Sequence, residues 1–131
     1  MKLVESEAMN DFIGSLDLLN EANLMVLVAS WGAVAQRDHE AAWAEVRRVA
    51  TDDGLDADVK AVRDRAMQWA YRGTNIPAIP YSMMSDDEWL RLRREAAPAL
   101  VDAALAVALG DRLGQSARNV LLAPWLRATQ V

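Results

Sequence analysis

From Met9 the apolar residues Met9, Phe12, Ile13, Leu16 and Leu19 recur at steps of three and four, the stripe of an amphipathic helix, weakened by Gly14 inside it. Asn20 is a suitable cap for a second helix. The run "ANLMVLVASWGAVAQ", residues 22–36, contains no charge and reads as a helix buried on most sides, because spanning a bilayer needs about 20 apolar residues. Asp38 is placed to cap a third helix, whose stripe is His39, Ala42, Trp43, Val46 and Ala50. "TDDGLD" ends it, with Gly54 supplying the left-handed position common at helix ends. Asp56 is placed to cap a fourth, with Val59, Val62, Ala66, Trp69 and Ala70 on one face, broadened by Met67 and Tyr71 and closed by Gly73.

The stretch "RGTNIPAIPYSMMSDDEW" is apolar for a connector. Pro77 and Pro80 hold Ile76 and Ile79 extended and lower the entropy lost on ordering, so a strap over residues 74–85 is expected to pack across the bundle through Ile76, Ile79 and Tyr81. A lid over a ligand, or a contact with another chain, are the alternatives. "SDDEW" then has the form of a capping box built on Ser85 and Glu88. The helix it opens runs to Pro98, which either kinks it or begins a new one, "PALVDAALAVALG". A last helix carries Val120, Leu121, Leu122 and Leu126, interrupted by Pro124.

No alternating strand pattern, internal repeat or low-complexity tract is present. The expectation is one all-α domain over residues 1–131, a compact bundle of five to seven helices. Two segments, 22–36 and 98–110, are apolar nearly all round, while a domain this small has room for one central helix. One of them is therefore expected to complete its burial against a second copy of the chain, as a homodimer.

Composition narrows function without naming it. About half the residues are apolar, and the net charge is −5, with the acid excess in the first half: residues 1–37 carry two basic and five acidic groups, residues 74–131 six of each. That sign disfavours nucleic acid as a partner. There is no Cys, hence no disulfide framework or thiolate metal site. The first residues lack the apolar run of a signal peptide, interrupted as they are by Glu5 and Glu7, and neither a leader nor a membrane span is read; cytoplasm is the expected location.

Chemical motifs are few. A single His, His39, leaves "HEAAW" short of the His-Glu-x-x-His zinc motif, and "TDDGLDAD" matches a calcium loop poorly, so neither metal nor cofactor is expected. "ASWG" around Ser30 lacks the strand-to-helix setting of a nucleophile elbow, and "GDRLGQS" lacks the lysine and spacing of a phosphate loop. His39 could serve as a general base oriented by an acid, although packing against Trp43 accounts for it more simply. Asp102 interrupts an apolar helix, but Glu95, Ala99 and Ala106 form a small, polar stripe with it, and exposure is the expected outcome. Arg91, Arg93 and Arg94 are expected as exposed partners of Glu88 and Glu95.

The five Trp fall in nearly every expected helix and read mainly as core, yet a buried indole N–H needs an acceptor, so together with Tyr and Met side chains they could line a pocket. Two functions follow. The first is a non-enzymatic binding module, accessory or regulatory, acting on a protein partner. The second is a small-molecule-binding protein or cofactor-free enzyme for a small hydrophobic ligand, with His39, Trp43, Trp69, Arg72, Tyr81 and Met84 as the residues that would contact it.

Overall fold

In the computed structural model, residues 2–71 and 85–130 are described; Met1, the segment 72–84 and Val131 lie outside them. The expected strap, with Ile76, Ile79 and Tyr81, and the candidate residues Arg72 and Met84 fall in that segment. The described residues form an all-α bundle of six helices: α1 (Glu7–Leu16), α2 (Glu21–Ala33), α3 (Gln36–Asp52), α4 (Asp56–Tyr71), α5 (Asp86–Leu109) and α6 (Gln115–Thr129). Short 3-10 turns, Leu3–Glu5 and Gly110–Arg112, precede α1 and α6.

Local chemistry explains most of the boundaries. Asn20 and Asn23 cap α2 reciprocally, each side chain accepting from the other's backbone N–H at 2.9 Å. Asn23 also donates to the Ala128 carbonyl at 2.8 Å, which ties the start of α2 to the end of α6. Ser6 caps α1 and Ser85 caps α5 through the backbone N–H groups of Met9 and Glu88. Gly54 takes φ +67° where α3 ends, and Leu55 N–H returns to the Ala50 carbonyl at 2.7 Å.

Four boundaries depart from expectation, the first being that Asp56 is the opening residue of α4 rather than its cap, with Val59 N–H returning to the Leu55 carbonyl. Asp38 does not cap α3; the helix starts at Gln36 after Ala35, and Asp38 occupies the first turn, where the helix dipole favours an acid. Pro98 does not divide the fifth helix: α5 runs unbroken for 24 residues. The proline removes only one donor, toward the Arg94 carbonyl, and its ring sits on the exposed side. Pro124 likewise lies within α6, buried, without ending it.

α5 is the centre of the bundle and touches α1, α2, α4 and α6, while α3 packs on α6 and α4. Every residue from Ala99 to Ala106 is buried. So the segment 98–110 finds its burial inside the monomer. α2 differs: Leu24 and Leu27 face the core, but Ala22, Met25, Ala29, Gly32 and Ala33 are exposed. Among the described residues no single helix is long and apolar enough to cross a membrane; α1 and α2 reach that composition only together, across a bend of 113°.

Candidate functional site

Asp102, the carboxylate expected at the surface, is 3% exposed. The reason is the central position of α5: the Ala99 and Ala106 stripe beside it is small because other helices press on it, not because it faces water. Three donors converge on this carboxylate. Trp43 Nε1 donates to Oδ1 at 2.8 Å; Trp31 Nε1 and His39 Nε2 meet Oδ2 at 3.0 and 2.6 Å. α2 supplies one donor, α3 two, and α5 the acceptor. The imidazole is held edge-on to Trp31, with ring centres 5.7 Å apart at 79°, and 6.3 Å from Trp43.

Burial pushes the Asp102 carboxyl above its usual range, opposed by the neighbouring His39 and by the hydrogen bonds from Trp43, His39 and Trp31. An indole N–H can only donate, so two of the three partners require an acceptor in any protonation state. When the Asp102 carboxylate is ionised it can only accept, so the His39 Nε2 that faces it then carries the ring proton and Nδ1 keeps its lone pair. Among the described residues Nδ1 has no hydrogen-bond partner, and the His39 side chain is 26% exposed.

That exposed edge opens on a cleft of about 590 Å³ between α2, α3, α4 and α5. One face of α4 lines it at helical spacing with Lys60, Arg63, Asp64, Met67 and Tyr71; from α5 come Arg94, Pro98 and Val101, and from α2 and α3 Trp31, His39 and Trp43. The Arg63 guanidinium lies 5.5 Å from the Trp43 ring centre and that of Arg94 5.3 Å from Tyr71. A flat cation stacked on an aromatic face keeps its N–H edges for other acceptors. Among the described residues Lys60, Arg63 and Arg94 form no ion pair. A second groove of about 600 Å³ lies between α3 and α6, but small residues and the acids Asp38 and Glu45 line it, with no aromatic or cation among them. Of the two, only the first cleft brings aromatic, cationic and imidazole side chains together.

Of the residues anticipated as ligand contacts, the structure brings His39 and Trp43 together at this cleft. It places Trp69 elsewhere. Trp69 is buried on the core side of α4, donates from Nε1 to Asp17 Oδ1 at 2.9 Å, and carries the Arg93 guanidinium 4.1 Å over its ring. Arg93, expected exposed, is fully buried and also donates to the Trp69 carbonyl. Arg72, Tyr81 and Met84 lie outside the described residues. Trp31 was among the five Trp read as possible pocket lining; sequence reasoning missed Asp102, Lys60, Arg63 and Arg94 as members of the site, and one usable signal was a lone carboxylate amid alanines in a chain whose single His lacked a partner.

Compared with protein-family models, with curated proteins and with solved structures, the chain matches none of them.

Proposed function

We propose that the chain is a small-molecule-binding protein whose cleft takes a planar organic anion. This is the second of the two functions the sequence suggested, with a charged group added to the ligand. One observation carries it: in a protein of net charge −5, two arginines rest on aromatic rings in one aromatic-walled cleft, with Lys60 beside them. Most exposed cations among the described residues form no ion pair, so the absence of an acid alone distinguishes none of them. Here Arg63 and Arg94 rest on Trp43 and Tyr71, and their free edges suit a carboxylate or phosphate. The cleft also falls in the size range of small-molecule pockets.

Benzoate and 4-hydroxybenzoate are suitable probes, with benzylamine as the cationic control. Calorimetry and quenching of Trp fluorescence should show saturable binding of the anions and none of the amine. Arg63→Ala or Arg94→Ala should each weaken it roughly tenfold, since hydrogen bonds to charged groups contribute about 1.5–3 kcal/mol. Equal binding of benzylamine, or no binding of either anion, contradicts the reading.

A second reading, pairing with another copy of the chain, is favoured by the outer side of α2, where Met25 is 52% exposed and the preceding Leu18 81%. Light scattering tests it: a mass that doubles with concentration and returns to the monomer in Met25→Glu supports pairing, and a monomer at every concentration excludes it.

A further inference from the structure

We propose that the cleft is a catalytic site in which His39 acts through Nδ1 as a general base, with Asp102 as its positioning residue, and that it hydrolyses acyl esters carried on the hydroxyl of planar hydroxy acids whose carboxylate stays free. The inference rests on the anion-binding reading above. Its starting point is an excess of donors. Two indoles already hold the Asp102 carboxylate from different helices, and the third donor is an imidazole, the one side chain of the three with a second nitrogen. Among the described residues that nitrogen has no partner, and it belongs to a residue lining the cleft.

Trp31 and Trp43 keep the carboxylate from turning, and the carboxylate keeps the imidazole in the Nε2–H form, so the basic nitrogen is always the same one. When Nδ1 takes a proton, the resulting imidazolium already sits 2.6 Å from a buried carboxylate that stabilises it. Among the described lining residues none is Ser, Thr or Cys, so the nucleophile this base can activate is water. Lys60, Arg63 and Arg94 supply the positive charge that a developing oxyanion needs. Asp64 and Tyr71 are the other ionisable groups of α4 in the cleft, and α2 contributes only Trp31.

The step balances without a cofactor. Nδ1 takes one proton from water as the water oxygen bonds to the acyl carbon; the carbonyl electron pair moves onto its oxygen and then returns. The bond from acyl carbon to alkoxy oxygen breaks, its electron pair leaves on that oxygen, and the imidazolium gives the proton back to it. Acid and alcohol are the products.

The probe is 4-acetoxybenzoate, a planar anion whose product, 4-hydroxybenzoate, is followed by absorbance. The expected result is saturable hydrolysis by the wild-type chain, with kcat lower by about 10²–10⁴ in His39→Gln. Free imidazole should restore part of the rate in His39→Ala. Asp102→Asn should lower kcat while KM changes less than about twofold, as a group acting only in the transition state does. Diethyl pyrocarbonate on the unmutated protein should abolish the activity by acylating the single His, and hydroxylamine should return it, which requires no variant to fold.

If 4-hydroxybenzoate binds but the wild type hydrolyses the ester no faster than His39→Gln, the base is refuted and the binding reading stands. Hydrolysis that survives acylation of His39 also refutes it. If the wild type neither binds 4-hydroxybenzoate nor hydrolyses the ester, both readings fall.

Discussion

Replacing Asp102 by Asn changes almost no volume, which makes it a sharp probe of the hydrogen bonds at the centre of the bundle. The amide keeps one acceptor oxygen and turns the other into a donor. With its oxygen in the Oδ2 position it serves Trp31 and His39, and the NH₂ group meets the Trp43 N–H at the 2.8 Å now spanned by a hydrogen bond. Reversed, it serves Trp43 and opposes Trp31, while the imidazole can adapt by moving its proton. Either way one indole is left facing a donor. A buried donor without an acceptor costs about 1–3 kcal/mol, and both indoles are part-buried, so the lower half of that range applies. We expect Asp102→Asn to lose about 1–2 kcal/mol, out of the roughly 5–15 kcal/mol that stabilise such domains. Asp102→Ala leaves all three donors unsatisfied and a void beside them, and should lose about 3–5 kcal/mol. Urea unfolding followed by Trp fluorescence and circular dichroism measures both. An Asn variant within about 0.3 kcal/mol of wild type, or an Ala variant more stable than the Asn one, would refute the reasoning.

Other outcomes follow from the same contacts. Because burial raises the Asp102 carboxyl, the folded chain holds that proton more tightly than the unfolded chain; its stabilising effect is complete below the usual aspartate value of 3.8 and is lost as pH rises through the higher native value. Urea midpoints across that window should therefore show wild type losing stability relative to Asp102→Asn with rising pH, and a growing wild-type advantage contradicts the assignment. Gly54→Ala places a Cβ at φ +67° and should cost about 1 kcal/mol in the same unfolding assay, whereas an unchanged midpoint would show that the turn is not left-handed. Arg93→Ala removes a fully buried side chain from above Trp69 and should cost about 2–5 kcal/mol, with a change in Trp emission; a loss under about 1 kcal/mol would place Arg93 outside the core.

The parts of this fold that were readable in the sequence are the ones encoded locally. Asn20 before α2, Gly54 after α3 and Ser85 before α5 each act within about four residues, and the apolar stripe of α3 names its buried residues Ala42, Val46 and Ala50 without reference to any other helix. Pro98 misled because its ring lies on the exposed side of a helix long enough to absorb the missing bond. The site is not local. Asp102 meets its donors across 59 to 71 residues of chain, and whether a carboxylate among alanines faces water or three donors depends on which helix is central. That order in space has no signature in periodicity. Trp69 shows the same limit on one helix: it belongs with Val62, Ala66 and Ala70 on the core side of α4, while Lys60, Asp64, Met67 and Tyr71 turn to the cleft. Both faces carry large side chains, and hydrophobicity alone did not separate them.

The chain has one histidine, so a long-range proton–nitrogen correlation spectrum of the labelled protein holds one imidazole and reads its geometry directly. With the ring neutral, the account predicts a proton fixed on Nε2, slow to exchange with water, and an unprotonated Nδ1. A proton on Nδ1, or two nitrogens averaged by rapid tautomer exchange, would mean that Asp102 does not hold the ring.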